Sequence, residues 1–152
     1  IAALSGLPLK IAAKVDKVDD AYFKSEIEPS LSQAHVEFVG EINEAQKPAF
    51  LSGAKALLFP INWSEPFGLV MIEAMACGTP VVTTGYLPAD SSSAWIVPIK
   101  DSAAIAAAVK KIASLSAADR TQYLDRAVLA VEPFMWENVS EQFLVHFRKQ
   151  GC

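Results

Sequence analysis

Cysteine and histidine are scarce in this sequence. The 152 residues hold two of each: Cys77 inside an apolar run, Cys152 at the last position, and His35 and His146 far apart. Two cysteines cannot build a disulfide framework, and with two distant histidines they lack the ligand spacing of a zinc site. No metal is expected, and a reducing, cytoplasmic compartment is. His35 reads as a strand-edge residue and His146 as a helix-surface residue. Long apolar runs are missing as well, because Pro, Lys, Asp or Glu interrupts each one well before the ~20 residues that cross a bilayer. A soluble protein is expected, with peripheral membrane contact left open. Positive charge is not in excess: 13 Lys and Arg against 17 Asp and Glu give a net charge of −4, and no basic block stands out. Nucleic acid is therefore not an expected partner. The opening residues 1–10 have neither the charged start nor the continuous apolar core of a signal peptide, and without an initiator Met they read as a cut.

Apolar residues are abundant, at 52% against 20% charged, which rules out disorder and gives one domain a sizeable core. Short Val-, Ile- and Phe-rich runs alternate with helical patterns, as in a parallel sheet with crossover helices. The expected strands are 9–13, 36–39, 56–60, 80–83 and 95–99. They are apolar on both faces, so both faces of the sheet should be covered. Between them, Phe23, Ile27 and Leu31 recur at helical spacing, with Pro29 expected to kink or end that helix. Asn43 to Gln46 and Ser116 to Asp119 read as capping boxes. Ile105, Val109 and Ile112 mark one amphipathic helix, and Val139, Phe143, Leu144 and Phe147 mark the last. The fold class is α/β, with a Rossmann-like parallel sheet and helices on both faces.

The informative stretch runs from Phe59 to Val82 as strand, loop, helix, turn and strand. A helix should start near Gly68 and stop at Gly78, with Pro80 resuming extended chain. Its N-terminus would lie at the carboxyl edge of the sheet, offering unpaired N–H groups and partial positive charge to an anion. Gly68 removes a side chain that would hold a phosphate off the backbone. Glu65 precedes the helix and can reach across the mouth of the site; Glu73, just over one turn inside, can accept hydrogen bonds from a ribose diol.

This Glu-x7-Glu spacing around Pro66-Phe67-Gly68, continued by Gly78-Thr79-Pro80, resembles the C-terminal, donor-binding domain of the family-4 retaining glycosyltransferases, which have the GT-B fold. Residues 36–42, 54–60 and 134–138 resemble further parts of that domain. The resemblance implies a transferase moving a hexose from a nucleoside-diphosphate sugar to a hydroxyl acceptor, with no metal and no cofactor beyond the donor. It implies that Glu65 contacts donor-sugar hydroxyls as the catalytic residue, orienting the sugar rather than attacking it. It further implies that Phe67, Gly68 and Leu69 present backbone N–H groups to sugar and phosphate, that Glu73 binds the ribose, and that Ile42 offers backbone contacts to the base. Lys14, at a strand end, is placed either to approach a phosphate or to be solvated.

Three features depart from the family pattern. The strand ending in Gly-Arg, and the Lys-Gly after it, would precede Ile1. Pro88-Ala89 stands where the family has Pro-Glu. The acceptor domain, which would take a glycan, lipid or small molecule, is absent. With the family's strand order 3-2-1-4-5-6, the absent element is the central strand of an N-terminally truncated domain; its loss would leave two half-sheets with unpaired edges, so the gap is expected to be filled by a rearranged segment, by a neighbouring chain or by a strand outside residues 1–152. Plainer readings stand beside these. Glu65 and Glu73 could be solvent-facing acids favoured near a helix N-terminus. Met71, Met75, Cys77, Trp95 and Trp136 read as core, and Trp63 as either a lid or loop packing. A non-catalytic module binding a nucleotide sugar or another phosphorylated ligand is the alternative function.

Overall fold

The computed structural model describes residues 1–63, 65–85 and 93–149, with side chains through residue 145. After a short helix α1 (Ala2–Ser5), β1 (Leu9–Ala12) pairs in parallel with β2 (Val36–Gly40), with Ile11 opposite Phe38. β3 (Leu57–Phe59) pairs with β4 (Val81–Thr83), which pairs with β5 (Trp95–Ile96), again in parallel. Among the described residues no ladder joins these two sheets, so no rearranged segment of these residues fills the gap by strand pairing. β5 is shorter than the 95–99 read from sequence. Val97 N–H still donates to the Thr83 carbonyl at 2.9 Å, but Pro98 has no N–H to continue the ladder and Lys100 turns at φ 61°.

The crossover between β1 and β2 holds α2 (Asp20–Tyr22) and α3 (Glu28–Leu31), joined by a π-helical turn at Phe23–Ile27. Pro29 does not end this run, but the α-helical pattern is interrupted just ahead of it and restarts with Pro29 in the first turn of α3. It cannot donate to the carbonyl four residues back, and its ring would crowd that carbonyl; widening the preceding turn absorbs both problems. The face carrying Phe23 packs on β2, the Phe23 and Phe38 rings lying 5.3 Å apart. The Asn43–Gln46 box closes as read: Gln46 N–H donates to Asn43 Oδ1 and Asn43 N–H to Gln46 Oε1, both at 3.0 Å, just ahead of α4 (Lys47–Ser52).

The core lies around β4. Val81 faces α5 (Leu69–Ala76) and α7 (Ala117–Val131) in a cluster with Met71, Met75, Tyr123 and Ala127, whereas Val82 faces Ile105, Val109 and Ile112 of α6 (Ser102–Ala113). Both faces of β4 are thus covered. The other half differs: none of residues 3–50 is buried, because a two-stranded sheet with one covering crossover leaves too little to enclose it. Asp101 and Ser116 cap α6 and α7, accepting from Ala104 N–H at 2.8 Å and Asp119 N–H at 3.1 Å. Asp119, one methylene shorter than Glu, returns its carboxylate to the Ser116 hydroxyl at 2.6 Å.

Trp95 stacks on Tyr123 with ring centroids 4.5 Å apart, in line with a core position. Trp136 is not core: it is 78% exposed at the start of α8 (Trp136–Lys149), which reaches the rest of the chain mainly through the one-turn helix Glu132–Phe134 beside it. Phe143 and Leu144 on the same helix are also exposed, and the side chains of His146 and Phe147 lie outside those described.

Tyr123 bolts α7 to the sheet. Its buried hydroxyl donates to the Ser93 carbonyl and accepts from Val81 N–H at 3.3 Å, and burial pushes the phenol above its ordinary range. Tyr123→Phe leaves both backbone groups without this partner, and it should cost about 1–3 kcal/mol in urea unfolding. An unchanged midpoint would mean that the hydroxyl contributes nothing net.

Candidate functional site

The loop from β3 to α5 and the segment after β4 meet at the carboxyl edge of the three-stranded sheet. Thr84 Oγ1 donates to the Ile61 carbonyl, joining the two. Above this junction opens a cleft of about 500 Å³ lined by Ile61, Asn62, Trp63, Glu65, Pro66, Thr84, Gly85 and Ile99, within the usual size of small-molecule sites.

Glu65 is held by three donors. Gly68 N–H donates to Oε1 at 3.0 Å, Phe67 N–H to the same oxygen at 3.5 Å, and Trp63 Nε1 to Oε2 at 3.3 Å. The Gly68 N–H, followed by the Trp63 indole, holds this carboxyl below the usual carboxylate range. A carboxyl lowered on folding stabilises the loop above its ordinary range and loses that contribution as pH falls through the lowered folded value. Two of the N–H groups assigned to a ligand therefore already meet an anion, one supplied by the chain itself. Trp63 is 63% exposed, lines the cleft and is joined to Glu65, a position that fits a lid as well as loop packing.

Gly68 caps α5 in the left-handed region at φ 72°, and a Cβ there would lie 2.3 Å from Met71 Cε. Glycine is needed for backbone shape and space, in addition to the ligand approach read from sequence. Phe67 meets Phe134 edge-on at 5.4 Å and leans the loop on the segment before α8. At the other end of α5, Gly78 turns at φ 72° while Thr79 N–H donates to the Ala74 carbonyl at 2.8 Å and Gly78 N–H to that of Met75 at 2.9 Å, the closed C-terminus expected from its glycine.

Glu73 lies on α5 outside the cleft lining, and its Oε1 accepts from Lys47 Nζ at 2.9 Å. Lys47 also pairs with Glu44 at 2.9 Å. Ile42 is half-buried after β2, Leu69 is exposed at the start of α5, and Lys14 is exposed and paired with Asp16 at 2.7 Å. The structure thus places Glu65 in the cleft lining with Phe67 and Gly68 bonded to it through their N–H groups, puts Glu73 on α5 outside that lining, and leaves Lys14 and Ile42 at the ends of the other sheet. Lys47 was not singled out from sequence. Its one local signal is a cation at the first position of a helix, where the dipole disfavours it. Pro88-Ala89 lies outside the described residues, among which no group of three or more His, Cys, Asp or Glu is gathered as metal ligands would be.

Parallel strands, crossover helices and a helix N-terminus at the sheet's carboxyl edge define a Rossmann-like α/β domain. Residues 4–127 match the family described as glycosyl transferases group 1, and the chain belongs to that family. Among curated relatives it is 32% identical over 115 residues to the phosphatidyl-myo-inositol mannosyltransferase of Mycobacterium leprae, covering 72% of this chain and 30% of that protein. It is 35% identical over 107 residues to the D-inositol 3-phosphate glycosyltransferase of Mycobacterium tuberculosis, covering 66% of this chain and 22% of that protein. The chain therefore spans roughly a third or less of these relatives' length. Among solved structures, sucrose-phosphate synthase from Thermosynechococcus elongatus superposes with a TM-score of 0.77 at 29% identity, over 98% of this chain and 40% of that one. Anabaena HepE, in complex with UDP-glucose, superposes with a TM-score of 0.77 at 17% identity, over 99% of this chain and 43% of that one, a likeness of fold. The fold is of the GT-B type.

Proposed function

We propose that this chain is the donor-binding, C-terminal part of a retaining, metal-independent hexosyltransferase that moves a sugar from a nucleoside diphosphate to a hydroxyl acceptor. The observation that carries the reading is the acid-closed loop Glu65-Pro66-Phe67-Gly68 at the N-terminus of α5, beside a cleft of about 500 Å³, in a chain of this family. The α5 N-terminus stabilises charge growing on the leaving pyrophosphate. Glu65, already oriented by Gly68 and Trp63, takes the hydroxyls of the sugar, and the donor shares or displaces the N–H contacts that Glu65 holds. Glu73 takes the ribose, Ile42 lies by the base, and Lys14 stays solvated. The separation into two sheets and the lack of buried residues through 3–50 support placing a further strand between β1 and β3, supplied from ahead of residue 1 together with an acceptor domain. The compartment proposed is the cytoplasm, where nucleotide sugars are used.

Titrating the protein with UDP, GDP and ADP by calorimetry tests this. One diphosphate should bind in preference to the others, competed by its own sugar conjugate. No binding by any of the three would remove the nucleotide-sugar reading.

A further inference from the structure

Lys47 opens α4, where the helix dipole opposes a cation by ordinary rules, and its side chain is only 25% exposed. Its Nζ lies 2.9 Å from Glu73 Oε1 on α5 and 2.9 Å from Glu44 Oε1 in the segment after β2. A lone surface pair would be worth little. This lysine instead joins α5 to the start of α4 from an unfavourable helix position, while the far end of α4 is held separately by Thr79 Oγ1, which donates to the Leu51 carbonyl at 2.7 Å. Among the described residues Glu73 Oε2 has no partner. A glutamate otherwise swings through several rotamers, and accepting from both hydroxyls of a diol needs one of them. Fixing Oε1 leaves Oε2 at a set place.

We infer that Lys47 is a positioning residue for nucleotide recognition: by holding Glu73 Oε1 and Glu44 together, it aims the Glu73 carboxylate at the ribose diol and ties it to the segment bearing Ile42. This rests on the reading of Glu73 as the ribose ligand. The lysine does not touch the nucleotide itself; it acts through Glu73, so its effect is largest on ligands that carry both the 2′- and the 3′-hydroxyl.

The test uses the whole protein and calorimetry with UDP and GDP, each beside its 2′-deoxy counterpart. The ribonucleotide that binds should do so about tenfold more tightly than its deoxy form, the scale of one hydrogen bond to a charged group. Lys47→Met should shrink that ratio to within about twofold, chiefly by weakening the ribonucleotide, and Lys47→Arg should restore much of it. Glu73→Gln serves as the reference for the underlying reading: if it leaves the ratio intact, Glu73 is not the ribose ligand and the inference falls with it. If Glu73→Gln lowers the ratio but Lys47→Met weakens both nucleotides equally, or neither, Lys47 is a plain helix-to-helix tie and the inference alone is overturned. Should Lys47→Met fail to fold, Glu44→Gln decides, since loosening one end of the bridge should lower the ratio partway; an unchanged ratio there overturns the inference.

Discussion

Offered UDP- or GDP-hexose with a range of hydroxyl acceptors, the 152-residue chain should transfer no measurable sugar. A hydroxyl and an activated sugar react quickly only when both are held in line in a site that excludes water. The cleft described here is lined by residues of three loops at the edge of one sheet and opens to solvent. Holding two reactants in place is worth about 7–11 kcal/mol, so its loss carries the rate far below detection. Nucleotide binding should survive in weakened form, because Lys14 is engaged by Asp16 at 2.7 Å. Product analysis by mass spectrometry, beside a calorimetric titration, checks both halves of the expectation. Robust turnover by the isolated chain would overturn the proposal that an acceptor domain completes the site.

The second large effect concerns Glu65. In the complete enzyme, Glu65→Gln should lower kcat about ten- to hundredfold with little change in KM, while Glu73→Ala should raise KM by a similar factor and spare kcat. On the proposed reading a ribose contact by Glu73 would be the same in ground and transition states, whereas the sugar at Glu65 would change shape and charge as its bond breaks; only a contact that strengthens during that change accelerates the reaction. Glutamine is the informative replacement, since it keeps an acceptor oxygen for Gly68 N–H, bonded to Glu65 at 3.0 Å, while removing the charge and the exposed acceptor for Trp63 Nε1. Steady-state kinetics with thermal midpoints measured in parallel decide the matter. Equal losses of stability and activity in both variants would reduce the two acids to structural caps, and normal kinetics with intact stability would remove them from the site.

Much of this was legible in the residue order. Gly68 and Gly78 bracket α5 because a left-handed residue closes each end, and glycine is the residue that adopts it without strain. Strands β1 to β4 follow from their apolar runs, and the caps of α6 and α7 from Asp101 and Ser116. What stayed hidden depends on distance in space. Lys47 is 26 positions from Glu73, and nothing local marks the pair. The contact that closes Glu65 onto Phe67 and Gly68 is local, yet it competes with the ligand contacts that the same atoms suggest, and only geometry separates the two. Trp136 looked like core because a helical pattern shows which face is apolar without showing whether anything covers it. Pro29 reads as a kink or an end to its helix, and the form the interruption takes, a π-helical turn ahead of the proline, leaves no mark in a periodicity of four.

The uneven burial has a consequence for how the molecule opens. Free energies of local opening follow buried apolar contact. Backbone amides in β1 and β2 should therefore exchange with solvent through small, frequent excursions, while those of β4, locked by Tyr123 and enclosed on both faces, wait for global unfolding. Glu65 and Glu73 ride on the slow half, and Ile42 on the fast one. A nucleotide spanning the two would bind by quieting the fast half, and part of its intrinsic affinity would be spent as lost conformational freedom.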